Sequence, residues 1–203
     1  MRDIDIRSAL RQHLDRAHEH EPGTRIIDEL GLCTGTARVD MAVVNGFLNG
    51  YEIKSELDTL ERLPSQQEVY NKTLDSVTIV ASGSHLAKIG EMVPGWWGIN
   101  EAVAVDDEIM FGVIRPPNNN PAVDPLSIAQ FLWRDEVLAT LQGLGLDEGL
   151  RSKPRRVLWE KLVDSVDVDD LRAIVRQQLK SRKNWRSGRS QTPDGAMCRP
   201  CAK

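Results

Sequence analysis

The chain has 203 residues and a formal net charge of −4 at pH 7, with 40% apolar and 28% charged residues. This balance indicates a globular domain of ordinary size with or without an extension, and it excludes a collagen-like or wholly disordered chain. No apolar run approaches the ~20 residues that span a bilayer. Arg2, Asp3 and Asp5 place charges where a secretory signal needs an apolar stretch, so we expect a cytoplasmic protein.

The charges are divided unevenly along the chain. Residues 1–150 carry 12 Lys and Arg against 24 Asp and Glu, whereas residues 151–203 carry 14 against 6. An acidic body with a basic end fits a polyanion held near a cation-binding site, and it fits self-association equally well. The charge pattern therefore leaves nucleic-acid binding and a homodimer both open.

The first part of the chain predicts one helix followed by an antiparallel meander. Apolar residues at helical spacing predict a helix over 4–21, ended by Pro22-Gly23. Three short apolar stretches separated by turn residues then predict strands. These strands cover residues 25–32, 38–44 and 47–54, the last with a bulge or bend at Asn49-Gly50.

The rest of the chain predicts alternating helices and strands, then helices alone. Pro64 opens a helix over 65–74, a β-branched strand follows at 76–82, and Ser84 begins a short helix to Met92. Further strands are expected at 97–99 with 102–105, and at 108–114. After a Pro-rich linker at 115–125, helices are expected at 125–144, 156–166 and 167–183. The predicted organisation is an α/β core at 1–115 with a sheet of mixed direction, and a helical C-terminal extension at 116–203.

Acidic and basic side chains are expected to converge on two of these strands. Asp40 lies in the second strand, and Glu52 and Lys54 lie at the end of the third, on one face by period-two alternation. A hairpin brings Asp40 towards Glu52. Carboxylates at one sheet edge suit Mg²⁺ (or Mn²⁺), which takes oxygen ligands and keeps several waters. Asp40 and Glu52 are therefore predicted metal ligands, with Glu29 as a third, and Lys54 is predicted to assist the attacking water.

These residues resemble the PD-(D/E)XK nuclease superfamily. The resemblance rests on Val39-Asp40, on Glu52-Ile53-Lys54 and on the upstream acid Glu29. Gln66 and Tyr70 match the Gln-x-x-x-Tyr element of the RecB-like branch. The sequence is also similar to a small uncharacterised bacterial family of that fold.

The resemblance implies a restriction-endonuclease-like sheet flanked by helices and a metal-dependent nuclease of repair, recombination or phage defence. Asp40, Glu52 and Lys54 would then be catalytic, while Gln66 and Tyr70 would contact DNA or steady the site. The first motif has Val39 where the pattern has Pro, which removes no ligand.

A run of basic residues near the C-terminus is the predicted phosphate-binding surface, and a solvated helix end is its alternative. The basic run consists of Arg172, Arg176, Lys180, Arg182, Lys183, Arg186 and Arg189, with Trp185 inside it.

Two other functions stay open for the whole chain: a non-catalytic nucleic-acid-binding repair-accessory protein, and a protein–protein adaptor. Cys198 and Cys201 have the spacing of half a zinc site without a second pair, so we expect a reduced tail.

Overall fold

One mixed sheet of six strands organises the chain, and its strands lie side by side in sequence order. The computed structural model describes residues 1–182. The strands are β1 (Arg25–Leu32), β2 (Ala37–Val44), β3 (Leu48–Lys54), β4 (Ser76–Ser82), β5 (Gly98–Val105) and β6 (Glu108–Arg115). The meander β1–β2–β3 is antiparallel, β3, β4 and β5 run parallel, and β6 returns antiparallel to β5. This confirms the predicted α/β class with a sheet of mixed direction.

Helices cover both faces of the sheet. They are α1 (Asp3–Ala17), α2 (Leu63–Thr73), α3 (Leu86–Met92), α4 (Pro125–Ala129), α5 (Arg134–Gly143), α6 (Arg155–Val163) and α7 (Val168–Ser181). Parallel neighbours need crossover connections, which α2 provides between β3 and β4 and α3 provides between β4 and β5. Within residues 1–182, no helix is both long enough and apolar enough to cross a membrane.

The helix α1 packs on one face of the sheet. Ile6, Leu10 and Leu14 recur every four residues, so they form one buried stripe along α1. This stripe packs against strand residues that include Ile53 and Val80. The predicted helix ends at Ala17 rather than at Glu21, and a turn follows it.

The other face carries α2 and the C-terminal helices. Leu63 and Tyr70 of α2 belong to the same apolar cluster as Leu158 of α6 and Leu171 of α7. The helices after the Pro-rich segment therefore pack together with α2 in one core. Helices α4 and α5 replace the single helix predicted over 125–144, because the chain turns between them and the Glu136 carboxylate accepts the Trp133 N–H at the start of α5.

The strand β3 is regular where a bulge was predicted. Gly50 pairs with Ala42 of β2 and with Val77 of β4 in unbroken register, so that prediction was wrong. A side chain at Gly50 would place its Cβ 2.5 Å from Leu74 Cδ1. The glycine therefore permits close packing at the end of α2 rather than a bend. The strand pieces predicted at 97–99 and 102–105 form one continuous β5.

Candidate active site

The pairing of β1 with β2 is irregular at Glu29 and Asp40. The ladder pairs Asp28 with Met41 and then Leu30 with Val39, and it leaves Glu29 and Asp40 unpaired between them. Glu29 has φ 56°, in the left-handed region that non-glycine residues rarely adopt. Such a conformation costs on the order of 1–3 kcal/mol and marks candidate functional positions.

Asp40 bridges β2 to β3 where their backbone pairing ends. The β2–β3 ladder stops at Met41 and Tyr51, and Asp40 Oδ2 then accepts the Ile53 N–H at 2.7 Å. Asp40 Oδ1 accepts Arg7 Nη2 at 2.6 Å. The side chain thus takes over a hydrogen bond that backbone pairing would have made, and it is fixed beside Glu52 as the hairpin predicted.

Glu52 is a buried carboxylate with three close donors. Glu52 is only 2% exposed to solvent, and Lys54 is only 5% exposed. Glu52 Oε1 accepts Lys54 Nζ at 2.6 Å and Gln66 Nε2 at 2.6 Å, and Oε2 accepts the Tyr70 hydroxyl at 2.6 Å. Gln66 Oε1 in turn accepts Lys54 Nζ at 3.2 Å. We call Asp40, Glu52, Lys54, Gln66 and Tyr70 the Glu52 cluster.

Tyr70 is fully buried in this cluster. Its hydroxyl also lies 2.8 Å from the Arg38 carbonyl oxygen, so one proton is shared between two acceptors. Burial raises the pKa of Tyr70, and the negative charge of Glu52 raises it further, so the hydroxyl stays a neutral donor. Of the two roles that the resemblance implies for Tyr70, this position favours steadying the site over contacting DNA.

The surroundings of Glu52 disfavour the ionised form of its carboxyl group. Burial raises the pKa of Glu52 and the negative charge of Asp40 adds to that rise, while Lys54 and Tyr70 act in the opposite direction. A cation placed between Asp40 and Glu52 would relieve this repulsion. Two neighbouring carboxylates are the kind of ligand that Mg²⁺ takes, because it needs few protein ligands and keeps its waters.

Glu29 shares the partner Arg7 with Asp40. Within residues 1–182, no group of three or more His, Cys, Asp or Glu side chains is placed to hold a metal ion. The Glu29 carboxylate instead lies 2.8 Å from Arg7 Nη1 and 3.2 Å from Arg38 Nη1. Its role as a third ligand stays a prediction.

A family model described as bacteriophage P4 protein cII matches residues 1–190. The chain belongs to this family. Protein cII of Enterobacteria phage P4 is 24% identical to it over 182 residues, which are 90% of this chain and 68% of that protein. Among solved structures, a protein of unknown function from Silicibacter pomeroyi matches with a TM-score of 0.40 and 18% identity, over 74% of this chain and 92% of that one.

In this member of the cII family, the predicted basic surface on α7 faces inward. Arg172 Nε lies 3.0 Å from Asp75 Oδ1, and Arg176 Nη1 lies 3.5 Å from Asp75 Oδ2. Asp75 Oδ2 also accepts the Leu48 N–H at 2.7 Å. We call Asp75, Arg172, Arg176 and the Leu48 N–H the Asp75 cluster. Lys180 Nζ lies 3.4 Å from the Asn45 carbonyl oxygen.

These contacts tie the helix α7 to the sheet. The structure does not bring Arg172, Arg176 and Lys180 to the Glu52 cluster, and their substrate-binding role stays a prediction. Arg182 is likewise held by Glu136. Several other residues discussed from the sequence lie outside the described residues: Lys183, Trp185, Arg186, Arg189, Cys198 and Cys201.

Sequence reasoning missed Arg7, the cation nearest to Asp40. Arg7 lies 33 residues before Asp40 and sits on α1 beside the buried stripe. Its neighbours Asp3 and Arg11 are charged at the same four-residue spacing, so the pattern resembles an ordinary solvated helix face. Only the tertiary packing of α1 on the sheet reveals the contact.

Proposed function

We propose that the protein is a metal-dependent nuclease that hydrolyses phosphodiester bonds in DNA. The observation that supports this proposal is the Glu52 cluster. It joins the Glu-x-Lys pair and the Gln-x-x-x-Tyr pair in one hydrogen-bonded network, and it holds Asp40 beside them on the Ile53 N–H. The sequence resemblance predicted these residues as one site. The cluster lies towards the C-terminal ends of the parallel strands β3 and β4, where Glu52 pairs with Ile79 and Lys54 pairs with Ala81.

The residues of the Glu52 cluster have different roles in the proposed reaction. Asp40 and Glu52 would hold Mg²⁺ or Mn²⁺, which acts as a Lewis acid on the phosphate and lowers the pKa of a bound water. Lys54 carries a positive charge beside Glu52, where it would orient the water and offset negative charge that develops on the phosphate. Gln66 and Tyr70 hold Glu52 in place from α2. Membership of a family described by a phage protein supports a phage-related process as the setting for this activity.

Cleavage of labelled DNA tests the proposal. The full chain would be incubated with single- and double-stranded DNA in Mg²⁺ or Mn²⁺, beside EDTA. Lys54→Ala is the test variant and Lys88→Ala, on the exposed side of α3, is the matched control. We expect cutting that requires the metal, is lost in Lys54→Ala and is unchanged in Lys88→Ala. Circular dichroism of both variants would show that loss of cutting does not reflect loss of fold.

One observation favours a second candidate, a non-catalytic nucleic-acid-binding protein. Both carboxylate oxygens of Asp40 are taken by protein donors, Arg7 and the Ile53 N–H. A site so fully paired could serve structure alone. Salt-dependent DNA binding that survives Lys54→Ala, with no cutting by the wild type under any metal, would favour this candidate and contradict the nuclease.

A further inference from the structure

Arg7 is the one residue that links α1 to both Asp40 and Glu29 in the described part of the chain. Its Nη2 donates to Asp40 Oδ1 at 2.6 Å, and its Nη1 donates to the Asp40 backbone oxygen at 3.2 Å. The same Nη1 lies 2.8 Å from Glu29 Oε1. The Arg7 side chain is 25% exposed and that of Asp40 is 17% exposed, so bulk water screens their contact only in part.

A positive group already lies where Asp40 would offer an oxygen to a metal ion. A divalent cation and a guanidinium repel one another, so a metal ion that takes Asp40 Oδ1 must displace Arg7 from it. The displaced guanidinium has other partners within reach, because Glu29 lies 2.8 Å away and Asp3 lies 3.4 Å away. Arg7 can therefore leave Asp40 without losing every ion pair.

We propose that Arg7 is a positioning residue that holds Asp40 in the absence of a metal ion and competes with the metal for Asp40 Oδ1. Its charge therefore sets the metal affinity of the site. This inference rests on the proposed function, because it takes Asp40 to be a metal ligand. It assigns to α1 a role in the site, although no residue of α1 belongs to the sequence motif.

A purely structural role is the competing explanation. Arg7 ties α1 to the sheet, and such a tie could exist for stability alone. Arg11, one turn further along α1, makes a similar tie, since its Nη1 lies 2.8 Å from Asp28 Oδ2. Arg11 has no contact with Asp40, so it separates the loss of a tie between α1 and the sheet from the loss of charge at Asp40.

Calorimetric titration of the full chain with Mn²⁺ tests the proposal without depending on catalysis. Arg7→Gln removes the charge and keeps a polar side chain, so Mn²⁺ should bind about tenfold more tightly, the effect of losing one charge-assisted competitor. Arg7→Lys keeps the charge and should bind Mn²⁺ as the wild type does. Arg11→Gln should leave the affinity unchanged, and Asp40→Asn should abolish binding.

A measurement on the wild type requires no variant to fold. In ¹⁵N NMR spectra, the Arg7 Nε–H signal should shift as Mg²⁺ is added, while the Arg11 Nε–H signal should stay in place. Unchanged or weaker Mn²⁺ binding by Arg7→Gln would overturn the role of Arg7. An Arg7 Nε–H signal that does not shift when Mg²⁺ is added would overturn it as well. If the wild type still bound Mn²⁺ through Asp40, the metal site would stand. If the wild type bound no Mn²⁺, the metal site and the role of Arg7 would both fall.

Discussion

Two buried carboxylates, Glu52 and Asp75, lie towards opposite ends of the parallel strands β3 and β4. Asp75 directly precedes β4 and binds the N–H of Leu48 at the start of β3. It has the guanidinium groups of Arg172 and Arg176 beside it, and Arg172 is also paired with Asp169. Glu52 has one ammonium group beside it, that of Lys54, and the carboxylate of Asp40 lies nearby.

The difference indicates which carboxylate is structural and which is a candidate for chemistry. A buried charge with more than one opposite partner and a backbone hydrogen bond holds elements together. A buried carboxylate whose pKa is raised by burial and by a like charge is typical of functional sites. We therefore interpret the Asp75 cluster as the attachment of α7 to the sheet, and we propose the Glu52 cluster as the active site.

The largest expected effect belongs to the Asp75 cluster. Asp75→Ala would leave two half-buried guanidinium groups without the Asp75 carboxylate and the buried Leu48 N–H without its acceptor. We expect the free energy of unfolding to fall by about 3–5 kcal/mol, measured by urea denaturation. Asp164→Ala removes an exposed carboxylate and should change it by no more than about 0.5 kcal/mol. A loss below about 1 kcal/mol in Asp75→Ala would contradict a structural role.

A smaller effect is expected at the hydroxyl of Tyr70. Tyr70→Phe removes the donor to Glu52 Oε2 and leaves a buried acceptor unpaired, which should lower the free energy of unfolding by about 1–2 kcal/mol. The chain's other tyrosine is a matched control, because the Tyr51 hydroxyl makes no hydrogen bond within residues 1–182. Tyr51→Phe should change stability by less than about 0.5 kcal/mol. Equal effects of the two substitutions on stability would contradict the hydrogen bond from Tyr70 to Glu52.

The smallest expected effect is a pH dependence that Glu52 contributes to stability. Burial and Asp40 raise its pKa above the ordinary value of 4.5, so the folded protein keeps this proton to a higher pH than the unfolded chain does. Stability from this group is then present at low pH and is lost as pH rises through the raised pKa.

Urea denaturation at a series of pH values in EDTA measures this contribution. As pH rises above about 4.5, the wild type should lose stability relative to Glu52→Gln. Glu61→Gln removes an exposed carboxyl and controls for the general effect of losing one charge. A change in the opposite direction would mean that pairing with Lys54 outweighs burial at Glu52.

Local pattern was sufficient to predict the strands and the pairing of Asp40 with the Glu52 strand. Alternating apolar residues and turn residues are short-range signals, and a hairpin brings neighbouring strands together by necessity. The convergence of Gln66 and Tyr70 on Glu52 followed from the family resemblance, since nothing local fixes where α2 packs. The predicted bulge at Gly50 was wrong because a glycine in a strand also occurs where another side chain approaches closely.

Long-range ion pairs could not be predicted from the sequence. The four-residue spacing of Arg172 and Arg176 correctly places them on one face of a helix, but their partner Asp75 lies about a hundred residues earlier. Arg7 and Asp40 are likewise joined only by the packing of α1. Charge spacing along one helix shows which cations lie together, whereas tertiary structure decides which carboxylate they face.

The rate of Mg²⁺-dependent DNA cleavage, compared between Glu52→Gln and Asp75→Asn, tests the division between the two clusters most directly. We expect Glu52→Gln to lose at least about a hundredfold in rate, because it removes a carboxylate of the proposed metal site. Asp75→Asn should cleave at close to the wild-type rate at temperatures where it is folded, although it unfolds at lower urea concentrations. Cleavage by Glu52→Gln at the wild-type rate, or no metal-dependent cleavage by the wild type, would contradict the assignment of the Glu52 cluster as an active site.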